Sequence, residues 1–330
     1  MKRLFRVLWA RNLEFIRDRS ALSWNILFPV LIVFGFAYGY SDNDMNRYKV
    51  GLVDTATTQP AFLKARYVQF IHYAHKDRAI KKVVHHQLDL LVDTATGEYW
   101  VNWESPRGYM VEALLKTMGG KQYQRHQVEG KNIRYVDWLL PGVLGMNMMF
   151  SALFGVGYVI VRYRKNGVLK RLKATPLTAF EFITAQVVSR LWLILAITFG
   201  VLLGIKLLID FKMEGSYLAL FMVFALGAFA LISMGLVVAS RTASEELAGG
   251  LLNMISWPMI FLSGVWFSLE GLQPWVQKLA LLFPLTHITV AARAIMLEGV
   301  GLADITPHLL VLAAMSIFFL LLGSWQFKWE

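Results

Sequence analysis

Apolar residues run in long blocks through most of this chain, separated by short polar segments. Ala21–Tyr40, Trp138–Val161, Tyr217–Ala239, Leu247–Phe267 and His308–Phe327 carry few charges, and Thr178–Leu208 is a longer block of the same kind. A helix rises about 1.5 Å per residue, so roughly twenty residues cross a hydrocarbon layer about 30 Å thick. The pattern therefore predicts six membrane-spanning helices, the first kinked near Pro29. A further apolar block, Lys278–Leu297, is interrupted by Pro284, His287 and Arg293. We read 268–300 as an outer segment of paired short helices that dip into the membrane and return, which is tolerated where protein covers the backbone.

Two regions depart from this pattern. In residues 1–20, Leu4, Phe5, Leu8, Trp9, Leu13 and Ile16 recur at helical spacing among six basic residues, the mark of an amphipathic helix lying on the cytoplasmic face. A cleavable leader is the rival reading, but the block at 21–40 is long enough to span and a small-residue cleavage site is poor. Residues 41–136 have no spanning block. Strands are expected at Tyr48–Val53, Leu88–Val92 and Tyr99–Trp103, with helices at Pro60–Tyr73, Lys76–His86 and Pro106–Met118. That alternation predicts a small α/β domain. The fold class is thus mainly α, a polytopic membrane protein with span 1 at 21–40, an extracytoplasmic α/β domain at 41–136, and spans 2–6 within 137–330.

Composition agrees: 56% of the 330 residues are hydrophobic and the mean hydropathy is +0.49, well above soluble usage. The net charge of +11 would suit nucleic acid if it covered one soluble face, but much of it sits beside the apolar blocks, so nucleic acid is not expected as a partner. Short segments 1–20 and 162–173 hold six basic residues each, whereas 209–216 and 268–307 together hold only Lys212, Lys278 and Arg293. Basic residues favour the cytoplasmic side, which puts both termini inside. There is no cysteine, so disulfides and thiolate chemistry are excluded.

The most concentrated basic segment runs from Arg162 to Leu177. Val168, Leu169 and Leu172 fall on one side of a short helix, and Thr175-Pro176 suits the start of the next one. As chemistry, three other patterns are candidates. Gly119-Gly120-Lys121-Gln122 lacks the upstream glycine and the hydroxyl after lysine that a phosphate-binding loop needs, so this chain is not expected to hydrolyse ATP. His72 and His75 would share a helix face near His85 and His86, but no carboxylate pattern accompanies them, and no metal site is assigned. Within the spans, Met146, Asn147 and Phe150 in the second, and Asn253, Met254, Trp257, Phe261 and Gly264 in the fifth, form polar-and-soft clusters able to accept greasy ligands. The competing reading is helix cross-linking by asparagine beside small residues such as Gly142, Gly145, Gly249 and Gly250.

The run Gly167-Val-Leu-Lys-Arg-Leu-Lys-Ala-Thr-Pro-Leu177 resembles the loop between the second and third spans of the type 2 membrane family of ATP-binding-cassette exporters. Leu262-Ser-Gly-Val-Trp-Phe267, Leu272-Gln-Pro-Trp275, Phe283-Pro-Leu-Thr-His287 and Ala292-Arg-Ala-Ile-Met-Leu-Glu-Gly299 resemble the same family's region before its last span. Where members usually carry glutamates before the glycine, this chain has Tyr163-Arg164-Lys165-Asn166. The resemblance implies a permease subunit whose coupling helix, within 164–175, docks on a separate ATPase subunit that holds the ATP and magnesium; this chain itself carries no cofactor. The docking residues it implies are Gly167, Val168, Leu169, Lys170, Arg171, Leu172, Lys173, Thr175 and Pro176. It also implies a substrate route lined by spans two and five, a dimer with a second copy or a related permease, and a place in the bacterial inner membrane. Membrane lipid and an extracytoplasmic adaptor protein complete the expected partners. Outward movement of a hydrophobic or amphipathic small molecule is the expected function. Export of a lipid-linked or polysaccharide product is an alternative, and a receptor sensing a ligand through its outer domain is one from another class. An ion-coupled transporter would need more acidic residues in the spans.

Overall fold

The structure is a computed structural model that describes residues 2–17, 26, 27, 29, 30, 48–53, 61–118, 122–130, 134–209, 211, 213–242, 244–269 and 273–327. These residues fall into two compact units, one centred on Tyr38–Tyr135 and the other made of the helical remainder.

The first unit is built on five strands: β1 (Tyr48–Val53), β2 (Val68–His72), β3 (Leu90–Asp93), β4 (Glu98–Asn102) and β5 (Gln124–Val128), in the order β2-β1-β3-β4-β5. All neighbours are parallel except β3 and β4, where Leu91 faces Trp100. Helix α2 (Lys76–Val84) buries Ala79 and Val83 against Ile71, Leu91 and Trp100 on one face. Helix α3 (Pro106–Thr117) buries Val111 and Leu115 against Val50, Leu90, Val92 and Tyr99 on the other. With helices on both faces, the central strands are apolar on both sides, as mostly parallel sheets are. Ser105 starts α3 by accepting from the Gly108 amide at 3.0 Å, with Pro106 in the first turn, the usual chemistry of a helix start.

The helix expected over Pro60–Tyr73 is not there. Among its described residues, Ala61–Lys64 form one 3₁₀ turn, and the stretch then extends into β2. Phe62 is buried and meets Phe70 edge-on at 5.6 Å, so pairing of β2 with the apolar strand β1 decides the conformation, and local periodicity does not. His72 therefore ends a strand while His75 precedes α2, and the shared helix face expected for them does not form. Strand β5 was not anticipated from the sequence pattern.

In the second unit the elements are α1 (Lys2–Arg17), α4 (Tyr135–Lys165, with a π-helical stretch at Leu153–Tyr158), α5 (Val168–Lys173), α6 (Ala179–Ile209), α7 (Tyr217–Arg241), α8 (Glu245–Leu262), α9 (Pro274–Ala280), α10 (Pro284–Glu298) and α11 (Leu302–Gln326). Four of these, α4, α6, α7 and α11, are long and apolar enough to cross a membrane; the pair α9 and α10, bent by 98°, would add a fifth if it were one span. The fifth block of the sequence becomes α8, 18 residues long with Glu245 and Glu246 in its first turn, and it is not among those four. Of the first block, 21–40, only Ile26, Leu27, Pro29 and Val30 are described. The last helix starts at Leu302 instead of His308, with Pro307 inside it.

Helix α4 is central: 78% of its most apolar window is buried, against 17% for α11. Gly142 and Gly145 let it approach its neighbours, since a Cβ on Gly142 would stand 2.9 Å from the Val265 carbonyl and one on Gly145 3.0 Å from Leu285. Nothing lies within 4 Å of the corresponding positions on Gly249 and Gly250. Outward-facing side chains on α6, α7 and α11 include Trp192, Leu203, Leu207, Phe221, Ile317 and Trp325, an apolar surface far larger than water tolerates on a monomeric soluble protein.

Candidate functional site

The basic segment is made by two changes of chain direction. Helix α4 ends at Lys165, Gly167 adopts φ +67°, and α5 begins at Val168. Glycine takes that left-handed conformation without the strain a Cβ would bring. The Thr175 hydroxyl donates to the Leu172 carbonyl at 2.6 Å, so Thr175 closes α5. Helix α6 starts three residues later than the Thr175-Pro176 pair led us to expect. Thr178 and Glu181 cap it reciprocally: the Glu181 amide donates to Thr178 Oγ1 at 3.2 Å, and the Thr178 amide to Glu181 Oε2 at 2.9 Å, which is a capping box.

Of the expected docking residues, Leu169 is fully buried by its own chain, and Gly167, Val168 and Leu172 are half-buried. Lys170, Arg171, Lys173, Thr175 and Pro176 are exposed. The apolar side of α5 is therefore used to seat it, and what it presents outward is basic, ending in a small Ala174-Thr175-Pro176 shoulder. Phe180, 78% exposed, stands just beyond.

Beneath this loop lies a polar network that the sequence pattern did not single out. Arg164 donates to the carbonyls of Ala239 at 2.9 Å and Ser240 at 3.1 Å, and to that of Thr242, so its guanidinium closes the C-terminal end of α7. A cation suits that negative end of a helix. The Tyr158 hydroxyl donates to Glu245 Oε2 at 2.6 Å, and Lys165 Nζ lies 3.7 Å from Glu245 and 3.6 Å from Glu246. Arg11 on α1 donates to the Tyr163 hydroxyl at 2.8 Å, and Ser189 on α6 donates to Asn12 at 2.5 Å. Helix α1 thus turns polar residues toward its own chain and leaves Phe5, Trp9 and Ile16 exposed.

The expected pathway residues divide. Asn253, Met254, Trp257 and Phe261 share one exposed face of α8, where Trp257 and Phe261 stack at 6.2 Å. Asn253 donates to the Gly249 carbonyl of its own helix at 2.9 Å. Met146 and Asn147 are buried inside the bundle and Phe150 is half-buried, so they are not part of that exposed face. Gly264 lies off that exposed face. It has φ +69° in the turn that ends α8 and is itself buried, with Leu269 and Arg293 beside its missing side chain. Gly119, Gly120 and Lys121 lie outside the described residues. No group of three or more metal-binding side chains occurs among the described residues.

A family model described as ABC-2 family transporter protein matches residues 19–325. The chain belongs to the ABC-2 transporter family. Similar proteins include the inner membrane transport permease YhhJ of Escherichia coli K12, 27% identical over 183 residues that cover 55% of this chain and 49% of YhhJ. The probable multidrug ABC transporter permease YbhR of the same organism is 22% identical over 201 residues, covering 55% of this chain and 54% of its own. Nodulation protein J of Neorhizobium galegae is 27% identical over 180 residues, 54% of this chain and 67% of its own. The chain spans about half the length of the first two relatives. Membership in this family fits the long apolar helices and the apolar side chains they expose.

Proposed function

We propose that this chain is the permease subunit of an ATP-driven exporter that moves a hydrophobic or amphipathic small molecule outward across the bacterial inner membrane. The observation that carries the reading is the match of the ABC-2 family model across 19–325. In this reading a separate ATPase subunit, with its ATP and magnesium, seats on the exposed residues of 167–176, and two permeases form the pore. The spans are 21–40, α4, α6, α7, α8 and α11, with both termini cytoplasmic. The pair α9 and α10 is re-entrant, and the burial of most of α10 supports this, because only protein-covered backbone tolerates such a bend at membrane depth. The sheet unit is extracytoplasmic, where an adaptor protein would meet it. The face of α8 with Asn253, Met254, Trp257 and Phe261 lines the route at the dimer interface, its soft and aromatic side chains fitting varied apolar ligands.

The test is co-purification with a co-expressed ABC ATPase subunit. Wild type should retain it, and a triple charge reversal, Lys170→Glu with Arg171→Glu and Lys173→Glu, should release it while the permease still inserts and assembles, since exposed charges contribute mainly to encounter and orientation. Retention of the ATPase by the reversed variant would remove the loop from the docking role.

A further inference from the structure

The network under the basic loop does more than fix the loop in place, because it reaches the first turn of the helix that carries the candidate route. We infer that Glu245 is the positioning residue through which movement of the basic loop is passed to α8; the inference rests on the exporter reading above and deepens it.

Three observations lead there. The first is convergence: Glu245, only 18% exposed at its side chain, receives the Tyr158 hydroxyl at 2.6 Å and lies 3.7 Å from Lys165 Nζ, and both partners belong to α4. Lys165 is two residues before Gly167, where the loop turns, and Tyr158 is the last residue of the π-helical stretch. Such stretches are strained departures from α geometry that recur at functional sites. This one is held open from the other side, where Arg190 Nε donates to the Ser151 carbonyl at 2.8 Å and its guanidinium fills the place a Gly155 side chain would take.

The second observation is that α8 is tied at its far end to different elements. The Thr286 and Thr289 hydroxyls of α10 donate to Ser263, at 3.0 Å to its hydroxyl and 2.7 Å to its carbonyl, and Arg293 donates to the Val265 carbonyl at 3.2 Å. Gly264, with φ +69°, sits at that joint. Helix α8 is thus about 27 Å long, with Pro258 inside it, a glycine joint at one end and Glu245 at the other. The face of Asn253, Met254, Trp257 and Phe261 lies between them.

The third is the contrast with Glu246. It neighbours Lys165 at 3.6 Å but is 79% exposed at its side chain, and exposed pairs of that kind hold little. A short hydroxyl-to-carboxylate bond to a largely buried acid is a firmer link. When the loop shifts against its ATPase, Lys165 and Tyr158 therefore carry Glu245 with them, and the route face swings about Gly264.

The experiment uses the cysteine-free chain with Met254→Cys, co-assembled with the ATPase subunit in nanodiscs of E. coli lipid, and reads the alkylation rate of that cysteine without nucleotide and after trapping with ATP, magnesium and vanadate. Trapping should change the rate by about fivefold or more, the lower end of ordinary allosteric coupling. Glu245→Ala should abolish the change, Tyr158→Phe and Lys165→Ala should each reduce it, and Glu246→Ala should keep it. The amount of assembled complex and of bound ATPase should stay at the wild-type level in all four. An unaltered response in Glu245→Ala, a loss of response matched by loss of complex, or no nucleotide response in the parent would each overturn the inference while leaving the exporter reading intact. If the parent binds no ATPase subunit at all, the exporter reading falls and the inference with it.

Discussion

Among the described glycines, Gly155 has the closest neighbour to its missing side chain, the Arg190 guanidinium. A Cβ there would collide with the guanidinium, which is buried and bonded to the Ser151 carbonyl. We expect Gly155→Ala to cost about 1–3 kcal/mol, as overpacking does, seen as a clear loss of folded, assembled protein in a thermal aggregation assay. Gly249→Ala, which meets nothing within 4 Å, should be neutral or stabilise its helix by up to about 1 kcal/mol. In the sheet unit the equivalent point is Glu112. Burial opposes its charge, but Lys116 at 2.7 Å, the Tyr99 hydroxyl at 2.9 Å and Arg125 at 2.9 Å outweigh it and hold the carboxyl below the usual range. Burial and the same bond push the Tyr99 hydroxyl up to about 12. A lowered acid stabilises above its ordinary value and loses that contribution as pH falls through the folded one. A raised phenol stabilises below about 10 and loses its contribution between about 10 and 12. Amide exchange in β4 of the intact chain, corrected for intrinsic rates, should therefore show its protection constant from about pH 5 to 9 and falling on both sides. Tyr99→Phe should lower that plateau by about 1–2 kcal/mol, because the buried Glu112 loses a donor, and should remove the alkaline fall. An unchanged plateau would mean the bond contributes nothing.

At the scale of elements, α8 separates two roles that its sequence pattern merged. The spacing of Asn253, Trp257, Ile260, Phe261 and Gly264 reads as one helical face, yet Ile260 is buried, the helix stops at Leu262 and Gly264 belongs to the joint. Gly264→Trp would thus strain a left-handed residue and disturb assembly, so it tests folding and not the route. Asn253→Leu is the cleaner variant. Its amide bonds only within its own helix among the bonds seen here, so the amount of assembled complex should not fall, while export or stimulated ATPase activity should. Proportional loss of both would assign Asn253 to packing. The long helices α4, α6, α7 and α11 were legible because each is a continuous apolar run, and α5 because Val168, Leu169 and Leu172 share a side. Strand β5 was not, since Gln124–Val128 is polar along an edge that pairs only with β4, leaving no alternation to detect. Nor was the role of Arg164, whose partners at Ala239, Ser240 and Thr242 are backbone carbonyls, groups every residue has and no sequence marks. The sequence showed Arg164-Lys165 where the resembling family carries acids, but only the fold brings Glu245 and Glu246 to Lys165.

In the proposed six-span topology, position 166 is cytoplasmic and position 109 extracytoplasmic. Asn102 is buried and bonded to the carbonyls of Val84 and Gly130, whereas Tyr109 is 68% exposed. Cysteines placed singly at Asn166 and Tyr109 should react with an impermeant maleimide from opposite faces of oriented vesicles; reaction from one face would undo the six-span arrangement. In the proposed function, ATP hydrolysis by a docked subunit drives an apolar molecule outward through this chain. It is tested most directly in inside-out proteoliposomes of E. coli lipid containing the permease with its ATPase, using the amphipathic dye Hoechst 33342 and a short-chain fluorescent phospholipid as probes. At least one probe should be taken from the outer medium or outer leaflet only when ATP and magnesium are present, and the Lys170, Arg171 and Lys173 reversal should abolish this. Equal movement of both probes with and without ATP, in complexes that hydrolyse ATP, would contradict it.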